Sequence, residues 1–396
     1  MSYQVLARRY RSTGFDEVVG QEAIASTLKT AIATNRVAHA YLFTGTRGVG
    51  KTSMARIFAK ALNAVDENGR EIPAVADAIM RGQDTDTIEI DAASNNSVDE
   101  ARTLIANAAY RPMRGRKKVY IIDEVHMLTT QAFNALLKTM EEPPEHVVFI
   151  LCTTETHKVP ATIQSRCQRF DFGNIPTNKI EGHLREVLAR EGVEAEAELL
   201  HMVARLGNGS MRDALSLLDR VLAGSGAEGG KGKLTAKLLE ELLGLPDRDL
   251  VDRLVGAIAD GDAGAALSAA DALGKRGVSH EQMLSSLADR FRDLMVLSAC
   301  GAETDLVELS DESREAAVAM SGRFDAAGLT HLIAICDTVA RSSRNSGNPR
   351  AICDAAVVRM AMSEKLADIA GLLAGGAGGV VVASRNGAGA RAGAKK

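Results

Sequence analysis

Tryptophan is absent from this chain of 396 residues, and aromatic residues make up only 4% of it. Its cores must therefore be built from Leu, Ile, Val, Ala and Met. Cysteine is scarce. Cys152, Cys167, Cys300, Cys336 and Cys353 are an odd number, and no two form a C-x-x-C pair. Neither a disulfide framework nor a cysteine zinc site is indicated, and a reducing cytoplasm is the simplest setting. No apolar run reaches the roughly 18 residues of a membrane span, so no membrane is expected among the partners. The opening MSYQVLARRYRS lacks the apolar centre of a secretory leader. Charge of one sign is not in excess either: 47 Lys and Arg face 51 Asp and Glu, a net charge of −4. That balance does not advertise nucleic-acid binding, but a basic face can hide in a near-neutral total.

What is present is organised in two styles. The length suggests two or three domains, and 46% apolar with 25% charged residues is ordinary for a globular protein. Up to about residue 175, short apolar runs alternate with helical patterns. AYLFT (40–44), TIEIDA (87–92), KVYIIDE (118–124) and VVFILCTT (147–154) read as buried strands. SMARIFAKALN (53–63) and TTQAFNALLKTMEE (129–142) have helical spacing, and Pro143 and Pro144 stop the second. Such alternation predicts a parallel sheet covered on both faces. From Ile175 onward the strand signals fade. Three helices follow, then a Gly-rich loop at 224–233, a helical region from about 243 to 364, and a Gly/Ala-rich tail that finishes basic.

The strongest chemical signal is GTRGVGKT, residues 45–52, which fits G-x-x-x-x-G-K-[ST] and lies between a strand and a helix. Its glycines let backbone N–H groups curl around a phosphate at a helix N-terminus. Lys51 would neutralise the β- and γ-phosphates, and Thr52 would ligate Mg²⁺. DEVH (123–126) places two carboxylates at a strand end, where Asp123 would hold the metal shell and Glu124 would deprotonate the attacking water. Thr153 and Thr154 both end an apolar strand and both qualify to touch the water or the γ-phosphate. Arg212 sits at a helix start, where a cation opposes the dipole; either Asp213 or a γ-phosphate should face it. In IQSRCQRF (163–170) no ligand-like spacing surrounds Cys167, so it reads as packing. An arginine acting in trans on a transferring phosphate is a device of P-loop ATPases, and the P-loop and acidic pair give Arg166 something to act on.

These segments resemble the AAA+ clamp-loader ATPases. The likeness rests on LARRYRS…FDEVVGQ, AHAYLFTGTRGVGKTSMARIFAKALN, IEIDAASN, VYIIDEVHMLTTQAFNALLKTMEEPPEHVVFILCTTE, TIQSRCQRF and GSMRDALSLLD, in this order up to about residue 220. The SRC triplet is especially specific to that family. The resemblance implies an α/β P-loop AAA+ domain with a parallel sheet (1–175), a three-helix lid (176–242), an all-α collar (243–364) and a tail (365–396). It assigns nucleotide binding to Gly45, Thr46, Arg47, Gly48, Val49, Gly50, Lys51 and Thr52, with Val19 and Gly20 lining the adenine pocket. Thr154 takes the sensor 1 position. Arg212 is the sensor 2 arginine, and Arg166 is the finger that reaches ATP on a neighbouring subunit.

The implied activity is ATP hydrolysis with Mg²⁺, coupled to loading a sliding clamp onto primer–template DNA. The implied partners are the clamp-loader subunits delta and delta-prime, further copies of this chain, the clamp and the DNA. The family usually carries a four-cysteine zinc module after the P-loop helix. Here LNAVDENGREIPAVADAIMRGQDTD (62–86) holds neither Cys nor His, and Asp66, Glu67, Glu71 and Asp77 cannot make a thiolate site; no zinc is expected. Ser12 stands where the family's YRP has proline. Asn95, Asn96 and Ser97 replace basic residues, so any DNA contact there would rest on amides. Only the Gly/Ala tail follows the collar, as in a short form without helicase- and polymerase-binding domains. Two rival readings are another AAA+ DNA-associated ATPase of helicase type, from the DExH-like DEVH, and a scaffold that has lost hydrolysis. Intact Lys51, Thr52, Asp123 and Glu124 speak against the scaffold.

Overall fold

The computed structural model describes residues 4–66, 70–95, 97–224, 233–244, 246–304, 306, 307, 309, 311–344 and 346–363. Glu67, Asn96, most of the Gly-rich segment and the tail from 365 lie outside these. The chain forms two compact units that divide between Leu243 and Gly244.

The first unit is built on five parallel strands, β1 (Ala40–Gly45), β2 (Thr87–Asp91), β3 (Lys118–Asp123), β4 (Val147–Thr153) and β5 (Gln168–Phe172), in the order β2-β3-β4-β1-β5. Strand alternation sends Tyr41, Phe43, Val119, Ile121, Val148 and Ile150 to one core. Leu42, Tyr120, Ile122, Phe149 and Leu151 go to a second core on the other face. Both faces are therefore dry, which is why β4 is apolar from end to end. β5 escapes a reading of the sequence because QRFDF is an edge strand with three exposed residues. Its pairing to β1 is what makes it a strand.

The helix Lys51–Asn63 lays Met54, Ala55, Phe58 and Ala59 on the first core. The helix Thr130–Glu141 lays Phe133, Leu136 and Met140 on the second, and its N-cap Thr129 accepts the Ala132 N–H.

The described part of the cysteine-free stretch 62–86 packs through apolar side chains. An isolated antiparallel bridge joins Val65 to Glu71, and the helix Pro73–Met80, started by its proline, buries Val75, Ala76 and Ile79. Asp66 accepts the Arg70 N–H, Glu71 pairs with Lys60 and Asp77 with Arg81.

Nearby, Asp86, 1% exposed, accepts the N–H groups of Met113, Arg114 and Gly115 at 2.7, 2.7 and 2.8 Å. Burial raises its pKa, but these three amides outweigh it and hold the carboxyl below its ordinary range. A depressed folded pKa means the contribution is present above the unfolded value and is lost as pH falls through the folded one. Asp86→Ala leaves three donors without an acceptor and is expected to cost about 3 kcal/mol, read as a lowered denaturant midpoint.

Still in the first unit, the helices Thr177–Glu191, Ala197–Leu206 and Met211–Gly224 share a core. A short fourth helix, Ala236–Leu243, adds Leu239 to it. The N-terminal turn Leu6–Arg9 buries Leu6 in this same core, and Arg9 and Tyr10 both bond Glu191. The second unit, among the described residues, is all helix from Arg248–Ala259 to Pro349–Ala361. Its core is Leu, Ala and Val around Phe291, and Ser279 and Gln282 close a capping box on the helix His280–Cys300. No described helix is long and apolar enough to cross a membrane.

Candidate nucleotide site

β4 lies between β1 and β3, so the three strand ends meet at one edge of the sheet. β1 runs into the glycine loop, β3 ends on Asp123, and β4 ends on Thr153. That edge is where ligands bind in parallel α/β sheets. The loop turns through positive φ at Gly45, Gly48 and Gly50 (142°, 78° and 102°), conformations that favour glycine. Two close approaches demand it as well. A Cβ on Gly45 would lie 2.3 Å from the Phe172 carbonyl, and one on Gly48 would lie 1.9 Å from Ser210 Oγ of the helical lid.

Lys51 opens the helix and is 6% exposed. Its ammonium donates to the carbonyls of Gly45 and Thr46 at 2.8 and 2.7 Å. Burial pulls its pKa down, opposed by Cys152, Glu124 and Asp123. Thr52 Oγ1 donates to Asp123 Oδ2 at 2.7 Å. Glu124 holds a left-handed backbone, φ 47° and ψ 44°, uncommon outside glycine. Its Oε2 accepts from Thr154 Oγ1 at 3.3 Å. Thr153, fully buried, turns instead to His126 Nδ1 at 3.0 Å. Of the two threonines that the sequence left equal, Thr154 is the one that reaches Glu124.

One pocket gathers Arg47, Gly48, Val49, Gly50, Lys51, Thr52, Asp123, Glu124, Arg212 and Val19. Gly45 and Thr46 are outside this lining and accept from Lys51. Thr154 stands behind Glu124. Gly20 is behind the wall: its φ is 81°, and a Cβ there would press on Ile175 at 2.9 Å, the residue that lines the pocket in its place. Arg166 is not part of the lining. Its Nη2 meets Glu141 Oε1 at 2.5 Å and its Nη1 donates to the Thr162 carbonyl at 2.6 Å. Among the described residues no carboxylate pairs with Arg212, Asp213 included; the Asp213 N–H is capped by Ser210. Cys167 packs against the second core, and burial pushes its thiol up to about 12, which suits packing and not chemistry.

Reading the sequence missed the outer wall. Ala7, Tyr10, Arg11 and Ser12 come from the N-terminal arm, and His183, Met211 and Leu215 from the lid. The arm follows Leu6 into the lid core, a long-range contact with no local signal. Arg11 is pulled below its usual pKa by burial and by the neighbouring cations Arg56 and Arg212. With Lys51 and Arg212 it gives the pocket a positive wall that suits a phosphate chain.

The loop–lid contact makes a direct prediction. Gly48→Ala puts a methyl where Ser210 Oγ now sits and strains the backbone, so the lid must shift. About tenfold weaker nucleotide binding is expected, read by titration with a fluorescent nucleotide.

Comparison with known proteins agrees with this geometry. The family model for the DNA polymerase III delta subunit matches residues 20–176. That for the clamp-loader ATPase lid domain matches 179–227, and that for gamma and tau domain III matches 234–374. The DNA polymerase III subunit tau of Bacillus subtilis is 41% identical over 369 residues, 91% of this chain and 63% of the relative. Subunit tau of Escherichia coli is 40% identical over 80% of this chain and 49% of its own length. Subunit gamma of Buchnera aphidicola is 42% identical over 63% of this chain and 68% of its own length. The chain thus spans about half to two thirds of the curated relatives it matches. With a nucleotide pocket at the sheet edge, a lid over it and matching models along nearly the whole described chain, this protein belongs to the gamma/tau family of DNA polymerase III subunits.

Proposed function

We propose that the chain is an ATP-hydrolysing motor subunit of the replicative clamp loader within the DNA polymerase III assembly, acting in the cytoplasm. Residues 1–175 serve as the ATPase domain, 176–242 as the lid and 243–364 as the collar that holds the ring. The observation that carries this is the convergence of Lys51, Thr52, Asp123, Glu124 and Arg212 on one pocket while Arg166 stays outside it.

The residues fit a magnesium nucleotide. The loop is a cradle that a Cβ at Gly45 or Gly48 would fill, and Thr52 and Asp123 offer a hydroxyl and a carboxylate 2.7 Å apart. Those two would hold Mg²⁺, which supplies charge neutralisation to the phosphates when bound. Lys51 exchanges two carbonyls for phosphate oxygens. Glu124 accepts the proton of the attacking water, with Thr154 fixing its carboxylate. Arg212 brings the lid down on the γ-phosphate, and Arg166 of one subunit completes the site of the next. Delta and delta-prime, further copies of this chain, the sliding clamp and primer–template DNA are the partners this reading requires.

The test is the ATPase rate of the complex with its partner subunits, measured with and without clamp and primed DNA. Stimulation by both is expected. Hydrolysis that ignores both would remove the clamp-loading assignment and leave the ATPase.

A further inference from the structure

His126 has no part in the chemistry above, yet its side chain is only 7% exposed and lies between two carboxylates. We propose that His126 is a positioning residue whose ring, held at the end of β4, limits by shape where the Glu124 carboxylate can lie; the proposal rests on the reading of Glu124 as the base of an ATPase.

The ring sits in the turn Val125–Met127, directly after Glu124. Nδ1 is 3.0 Å from Thr153 Oγ1 and 3.5 Å from Glu124 Oε2, and Nε2 is 3.3 Å from Glu155 Oε1. Thr153 Oγ1 already accepts the Glu155 N–H at 3.0 Å. The hydroxyl proton of Thr153 is therefore free to donate to Nδ1, and the ring proton then belongs on Nε2, facing Glu155. In that tautomer both nitrogens are satisfied. Thr153 and Glu155 hold the ring from the β4 side, and its Nδ1 edge forms a wall beside Glu124. Nδ1, which accepts from Thr153, has no proton to donate to Glu124 Oε2 at 3.5 Å, so Glu124 keeps its lone pairs for a water. Thr154, the residue after β4, donates to the same oxygen at 3.3 Å. Glu124 is thus bounded on two sides, by the hydrogen bond from Thr154 and by the imidazole that Thr153 and Glu155 hold. Glu155 is itself held by Lys158 at 2.9 Å, which keeps the far end of the relay in place.

The test uses the assembled complex with its partner subunits, clamp and primed DNA. His126→Ala is expected to lower kcat about tenfold with the KM for ATP within about twofold. His126→Gln, which can return a donor towards Glu155, should recover most of the loss. Glu155→Ala should lower kcat in the same direction, and the double variant should be no slower than His126→Ala alone, because both act through one contact. Wild-type turnover in His126→Ala, losses that multiply in the double variant, or a loss confined to KM would each overturn the proposal. If His126→Ala does not fold, Glu155→Ala and His126→Gln carry the same comparison. A wild-type complex that does not hydrolyse ATP would instead overturn the ATPase reading, and this inference with it.

Discussion

Glu124→Gln is expected to slow ATP turnover by about 10²–10⁴-fold, the range for removing a general base, with nucleotide affinity retained. The substitution keeps the size of the side chain and its contact with Thr154, which donates to Oε2 at 3.3 Å. It removes only the capacity to take a proton. Lys51 makes no hydrogen bond to the carboxylate, since its ammonium donates to the carbonyls of Gly45 and Thr46. Binding should survive because the loop, Lys51 and Thr52 are untouched. Single-turnover hydrolysis beside a fluorescent-nucleotide titration separates the two effects. A glutamine variant that hydrolyses at the wild-type rate would show that the water is activated elsewhere.

Arg166→Ala should cost as much by another route. An arginine delivered from a neighbouring subunit stabilises charge on the transferring phosphoryl group and is worth about 10³–10⁵ in rate. In the single chain Arg166 is 32% exposed and tied to Glu141, itself 50% exposed. A pair of that kind contributes roughly 0–1 kcal/mol, so little is lost on exchanging the carboxylate for a phosphate. The same arithmetic predicts that Arg166→Ala barely alters the stability of the isolated chain. ATP binding should also persist, because Arg166 does not line its own pocket.

The parts of this account that were legible in the sequence are those with a local signature. GTRGVGKT and DEVH carry their chemistry in adjacent residues, and β1, β3 and β4 are apolar runs between polar ends. β5 was not legible because its outward residues are exposed and its identity comes from β1. The wall formed by Ala7, Tyr10, Arg11 and Ser12 was hidden for the same reason: its position depends on Leu6 packing into a core whose other members begin at Ile175. Gly20 acts on the pocket through its neighbour rather than by lining it. The segment is in the right place, but the wall is Ile175, which only a glycine at φ 81° allows to come so close. Thr153 and Thr154 could be separated only by the alternation of successive side chains, which turns one to His126 and the other to Glu124.

The central claim is that each nucleotide site is built by two subunits, and a mixed-ring assay tests it directly. Arg166→Ala chains lack the finger, and Lys51→Ala chains lack the phosphate anchor. Each alone should give complexes with almost no hydrolysis. Mixed in one ring, they create some interfaces that pair an intact P-loop with an intact Arg166, and hydrolysis should return in part. A mixture as inactive as its components, or an Arg166→Ala complex that hydrolyses ATP at the wild-type rate, would contradict a site completed in trans.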